Sequence, residues 1–89
     1  MKLPMRKPLH EVSEYCGVST TTIEHFIEEE WITPIDHELQ MLDEEDVNRI
    51  LLIQDLQEKF GVNEEGIPLI LHLIDQINYI MNSNEGESR

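Results

Sequence analysis

Positive charge is scarce in this chain. Six Lys and Arg stand against nineteen Asp and Glu, a formal charge of −13 with histidine neutral. Four of the six bases (Lys2, Arg6, Lys7 and Arg89) lie at the termini, so residues 10–88 hold Arg49 and Lys59 against all nineteen acids, a charge of −17. Nucleic acid and anionic membrane are bound by neutralising phosphates with Lys and Arg, so both are poor partners for such a surface. Cysteine is nearly absent as well: Cys16 alone excludes an internal disulfide and fits a reducing, cytoplasmic setting. No long hydrophobic run exists; Ile50–Ile53, at four residues, is far short of a membrane span. The opening MKLPMRKPLHEV is basic but lacks the apolar stretch of roughly 7–15 residues that a signal peptide needs.

Catalytic signatures are missing too. No Ser-His-Asp set, phosphate-cradling glycine loop or cofactor motif is present, and 89 residues make one domain with little room for a concave site. The expectation is a non-enzyme without a cofactor. Four histidines (His10, His25, His37, His72) raise the question of a metal. His25 lies three and four residues before Glu28 and Glu29, and Asp36-His37-Glu38 is a dense cluster. Neither has the convergent spacing of a zinc site, and His10-Glu11-x-x-Glu14 lacks the second histidine of a zinc-protease motif. No metal is expected.

What the chain does have is helical periodicity. Residues 1–9, with Pro4 and Pro8, read as an irregular lead-in, residues 10–82 as a single helical domain, and residues 83–89 as a flexible tail. A short helix from His10 to Cys16 places Val12, Tyr15 and Cys16 inward. Gly17 suits the left-handed position after a helix, and Ser19 suits an N-cap. Ile23, Phe26 and Ile27 then mark one face of a second helix, which Pro34 ends. Two short helices joined by Gly-Val-Ser form a helix-turn-helix pattern. Ile35, Leu39 and Met41 alternate weakly and predict a small wing or a loop. Asp43 caps a third helix with Glu44, Glu45 and Asp46 in its first turn, where the helix dipole favours negative charge. Val47, Ile50, Leu51, Ile53, Leu56 and Phe60 are its expected inward residues, and Gly61 its end.

The fourth helix is expected from Asn63 to about Asn82, with Pro68 tolerable only near its start. Ile67, Ile70, Ile74, Ile77 and Met81 recur at three and four, forming one stripe. Leu69, Leu73 and Ile80 form a second. A small domain has little core for both, so the second stripe predicts a homodimer interface, the alternative being a helix sunk among its own neighbours.

The run Gly17–Pro34, GVSTTTIEHFIEEEWITP, resembles the helix-turn-helix of MerR-type regulators, G-V-S-x-R-T-L-R-Y-Y-E-x-x-G-L-L-x-P, without a gap. The likeness continues through Leu42-Asp43-Glu44-Glu45-Asp46-Val47 and Gly61-Val62-Asn63-Glu64-Glu65-Gly66-Ile67, and covers residues 10–72. It implies an all-α fold: a MerR-like helix-turn-helix followed by two longer helices. The departures concern charge. Thr21 and Glu24 stand where the pattern has arginines, His25 at its first aromatic, and Gln40-Met41-Leu42 where the wing has Arg-x-Tyr. The second helix ends in Glu28-Glu29-Glu30 and has no Lys or Arg. Each missing cation removes a counterion-release contribution to DNA affinity.

Within that family the acidic helix-turn-helix and Gly66-Ile67-Pro68-Leu69-Ile70-Leu71-His72-Leu73-Ile74-Asp75-Gln76-Ile77 resemble CbpM-type chaperone modulatory proteins. Pro68 departs from the small residue usual after Gly-Ile. The resemblance implies a protein that binds the J domain of a CbpA/DnaJ-like co-chaperone and inhibits both its DnaK co-chaperone activity and its DNA binding. A J domain presents a basic helix, so Glu11, Glu14, Glu24, Glu28 and Glu29, with Glu30, are the expected contacts. A solvated acidic face is the plainer reading of the same residues. Trp31 is expected in the core, and Cys16 as a small buried residue rather than a redox switch. Three functions stay open at this point: the J-domain modulator, a DNA-binding regulator that borrows a partner's basic surface, and an acidic interaction module such as a DNA mimic.

Overall fold

A computed structural model describes residues 6–34, 38 and 40–87, with side chains described through Asn82. The fold is all-α, apart from a two-stranded ribbon. Strand β1 (Lys7–Pro8) leads into α1 (Leu9–Cys16); α2 (Thr20–Glu28), β2 (Met41–Leu42), α3 (Glu44–Glu58) and α4 (Ile67–Glu87) follow.

Local chemistry places each boundary. Gly17 ends α1 at φ 74°, a conformation that costs a residue with a Cβ. The Ser19 hydroxyl accepts the Thr22 N–H at 3.1 Å and starts α2. The end of α2 is a Schellman motif: the Trp31 N–H reaches the Phe26 carbonyl and the Glu30 N–H the Ile27 carbonyl, both at 3.0 Å. Its left-handed residue is Glu30, at φ 64°, where the helix-turn-helix pattern has glycine. Asp43 begins α3 with a reciprocal box: the Asp43 side chain accepts the Asp46 N–H at 2.9 Å, and the Asp46 carboxylate accepts the Asp43 N–H at 3.2 Å.

The core collects Val12 and Cys16 from α1, Ile23 and Phe26 from α2, Trp31 and Ile32 beyond it, Leu42 from β2, Val47, Ile50 and Ile53 from α3, and Ile67 and Leu71 from α4. Trp31 packs with ring centroids 5.5 Å from Phe26 and edge-on to His25 at 5.8 Å. Burial raises the pKa of the Cys16 thiol above its ordinary value, so the thiolate is disfavoured there.

Several expectations need correction. Lys7–Pro8 is not an irregular lead-in: it pairs antiparallel with Met41–Leu42, and the helix begins at Leu9. Pro8 is acceptable on so short an edge strand because the ladder there asks little of its missing N–H. The wing is thus completed by the N-terminus; Ile35 and Leu39 lie outside the described residues. Tyr15 and Phe60, expected inward, are 76% and 73% exposed. Phe60 falls beyond the last turn of α3, where Gly61 (φ 67°) redirects the chain and the half-buried Val62 packs against the core instead. The fourth helix starts at Ile67, after a turn in which the Asn63 side chain accepts the Gly66 N–H at 3.1 Å. A Cβ on Gly66 would meet the Val62 side chain at 3.0 Å, so any larger residue there needs Val62 to give way by a few tenths of an ångström. The helix also runs to Glu87, through most of the segment expected as a flexible tail.

Candidate functional site

Two surfaces stand out, one charged and one apolar. On α2, Glu24 and Glu28 are exposed and one turn apart, with exposed Thr21 on the same side. Glu29 caps the helix end, and Glu30 follows; both are exposed. Glu11 and Glu14 form an exposed pair on α1, beside exposed Tyr15. Lys7 approaches Glu11 to 3.8 Å and offsets part of its charge. The five predicted glutamates therefore all face solvent, as a pair on α1 and a group along and just past α2.

His25 does not join Glu28 and Glu29. Its Nε2 lies 3.2 Å and 3.3 Å from the two carboxylate oxygens of Glu64, tying α2 to the turn before α4. No group of three or more His, Cys, Asp or Glu among the described residues is arranged to hold a metal ion. Asp36 and His37 lie outside the described residues.

On α4, Leu69, Leu73 and Ile80 are all exposed. The first stripe divides along its length: Ile67 is buried, Ile70 and Ile74 are half-buried, and Ile77 and Met81 are exposed. Leu71, one turn after Ile67 and in neither expected stripe, is the second buried residue of the helix. From Ile77 to Met81 the helix exposes Ile77, Tyr79, Ile80 and Met81 together. No helix among the described residues is long and apolar enough to cross a membrane.

An open hollow of about 360 Å³ is lined by Trp31, Thr33, Asp43, Glu45, Asp46, Arg49 and Asp75. Arg49 is one of its lining residues. Its Nε donates to the Trp31 carbonyl at 2.7 Å, and its two terminal nitrogens donate to the Asp75 carboxylate at 2.9 Å and 3.1 Å. That fork holds the Asp75 carboxyl below its ordinary pKa and raises that of Arg49. Asp46 moves the other way. Burial, together with the facing Asp43 carboxylate, pushes its pKa up to about 6, against the lowering effect of its bond from the Asp43 N–H. Arg49 and Asp75 are not among the contacts expected from the acidic surface. A signal existed: Arg49 is one of two bases in residues 10–88, and Asp75 is the sole acid in residues 67–82.

A helix-turn-helix of two capped short helices, a ribbon before the third helix and a long fourth helix is the arrangement of a known regulatory family. MerR HTH family regulatory proteins match residues 8–86 of the chain. The chain belongs to the MerR family. No curated protein and no solved structure matches it. Against the MerR pattern, Thr21 and Glu24 present a hydroxyl and a carboxylate on α2 where arginines belong, and Leu42, at the wing tyrosine position, is fully buried.

Proposed function

We propose that this MerR-family chain is a CbpM-type adaptor that binds the J domain of a CbpA/DnaJ-like co-chaperone. By covering the basic J-domain surface it blocks DnaK co-chaperone activity and DNA binding by competition. The observation that carries this reading is the exposed carboxylate surface of α2, with Glu24 and Glu28 on the helix that a DNA-reading relative would line with cations. Opposite charge speeds encounter, and apolar contacts slow release. The chain also pairs with a second copy through the face of α4 that carries Leu69, Leu73 and Ile80; their exposure supports this part of the reading.

The deciding experiment is a calorimetric titration into an isolated J domain of the CbpA type, at low and moderate salt and at two temperatures. Saturable binding that weakens with salt is expected, and Glu24→Lys with Glu28→Lys lowers affinity about tenfold, roughly 1.4 kcal/mol. Absence of heat under all conditions would sink the J-domain reading. The family match itself favours a second reading, a MerR-like regulator that contacts DNA. Salt-sensitive retention of a duplex near physiological salt would support that one instead.

A further inference from the structure

We propose that Arg49 is a latch that fixes the direction in which α4 leaves the body of the fold. Two apolar residues, Ile67 and Leu71, root α4 in the core, and they lie within a single turn of its start. Two buried contacts one turn apart, with Ile70 and Ile74 only half-buried, hold the helix in place but fix its tilt weakly. The third point is Asp75, one turn beyond Leu71, and the Arg49 fork grips it there. The fork is itself held, because its Nε is committed to the Trp31 carbonyl. Beyond Asp75 no side chain through Asn82 is buried.

The leverage is large. At about 1.5 Å per residue, the helix extends roughly 24 Å from Leu71 to Glu87, so a tilt of about 20° carries its end some 8 Å. Charge reinforces the device. Among the described residues, Arg49 is the one cation lining a hollow that also holds Asp43, Glu45, Asp46 and Asp75. Without the guanidinium, the carboxylates of α3 face Asp75 unopposed, and their repulsion drives α4 outward. The Trp31 carbonyl directly follows the acidic run Glu28–Glu30, so the latch joins the exit of α2 to α4. This role is independent of the J-domain reading.

The test places nitroxide labels at Glu58→Cys, at the end of α3, and Asn82→Cys, on α4, in a Cys16→Ala background. Labelled chain is diluted with unlabelled chain so that distances within one molecule are read by pulsed electron resonance. The parent is expected to give one narrow distance distribution. Asp75→Ala is expected to at least double its width, and Arg49→Lys, which keeps the charge and loses the fork, to broaden it as well. Amide exchange across residues 9–58 should stay at the parent's rates in both variants. Unchanged width in both variants would overturn the latch. So would broadening accompanied by faster exchange throughout α1–α3, because the pair would then be a general support of the core.

Discussion

The two longest helices use their apolar residues in opposite ways. Over 15 residues α3 buries Val47, Ile50 and Ile53, and half-buries Leu51, Leu52 and Leu56 against the core. Among the side chains of α4 described through Asn82, Ile67 and Leu71, both near its start, are the buried ones. Yet α4 is the more apolar, with one charged residue from 67 to 82, whereas α3 opens with Glu44, Glu45 and Asp46. Apolar periodicity states that a face seeks cover; it does not state whether the same chain supplies it. A body of some sixty residues has room for one complete helical face of α3 and for only the root of α4.

The sharpest way to break this comparison is a pair of truncations. Ile50→Ala should cost about 2–5 kcal/mol in urea unfolding, since it empties a fully buried site. Ile77→Ala, at an exposed site, should change the monomer's stability by less than about 0.5 kcal/mol. A concentration-dependent loss for Ile77→Ala, with a dimer mass by sedimentation, would show that a second copy covers α4. A monomer at high concentration would remove the proposed homodimer.

A smaller effect sharpens the electrostatic side of α3. With its pKa raised to about 6 in the fold, Asp46 holds a proton that the unfolded chain, titrating near 3.8, does not. The folded state therefore binds more protons between about pH 4 and 6, and the contribution of Asp46 to stability grows as pH falls through that window. Asp46→Asn, which is neutral throughout, should stabilise the fold at pH 7 by about 1–2 kcal/mol, and its advantage should fade towards pH 4. A pH-independent difference would contradict this origin.

The smallest expected effect is at the end of α2. Glu30→Gly relieves a left-handed residue worth about 1–2 kcal/mol, offset in part by the greater freedom of glycine in the unfolded chain. A net gain of about 0.5 kcal/mol in thermal or urea unfolding is expected.

Local devices were legible in the sequence because their partners are near neighbours. Gly17, Ser19 and Asp43 each act within four residues, and each sits as the composition of its turn predicts. Features that depend on the path of the chain were not. Phe60 has the right spacing for α3, but the helix stops before reaching it, and Leu71 shares a face with Ile67 as readily as Ile70 does. The Arg49–Asp75 fork spans 26 positions, and the β1–β2 ribbon joins the beginning of the chain to a segment beyond the second helix. Among the site residues, exposure of the five glutamates followed from their charge. The division of α4 into a rooted and a bare half did not follow from its stripes, which are unbroken along the sequence.

Trp31 gives the molecule an internal reporter. It is the sole indole in the chain, it is buried against Phe26 beside His25, and its carbonyl is tied to α3 through Arg49. Its fluorescence follows the integrity of the body and takes little notice of the far half of α4. Circular dichroism at 222 nm counts every helical turn, with α4 the largest contributor. Warming that costs ellipticity before the emission shifts to the red has peeled α4 away from an intact body; coincident curves mean that body and helix melt as one.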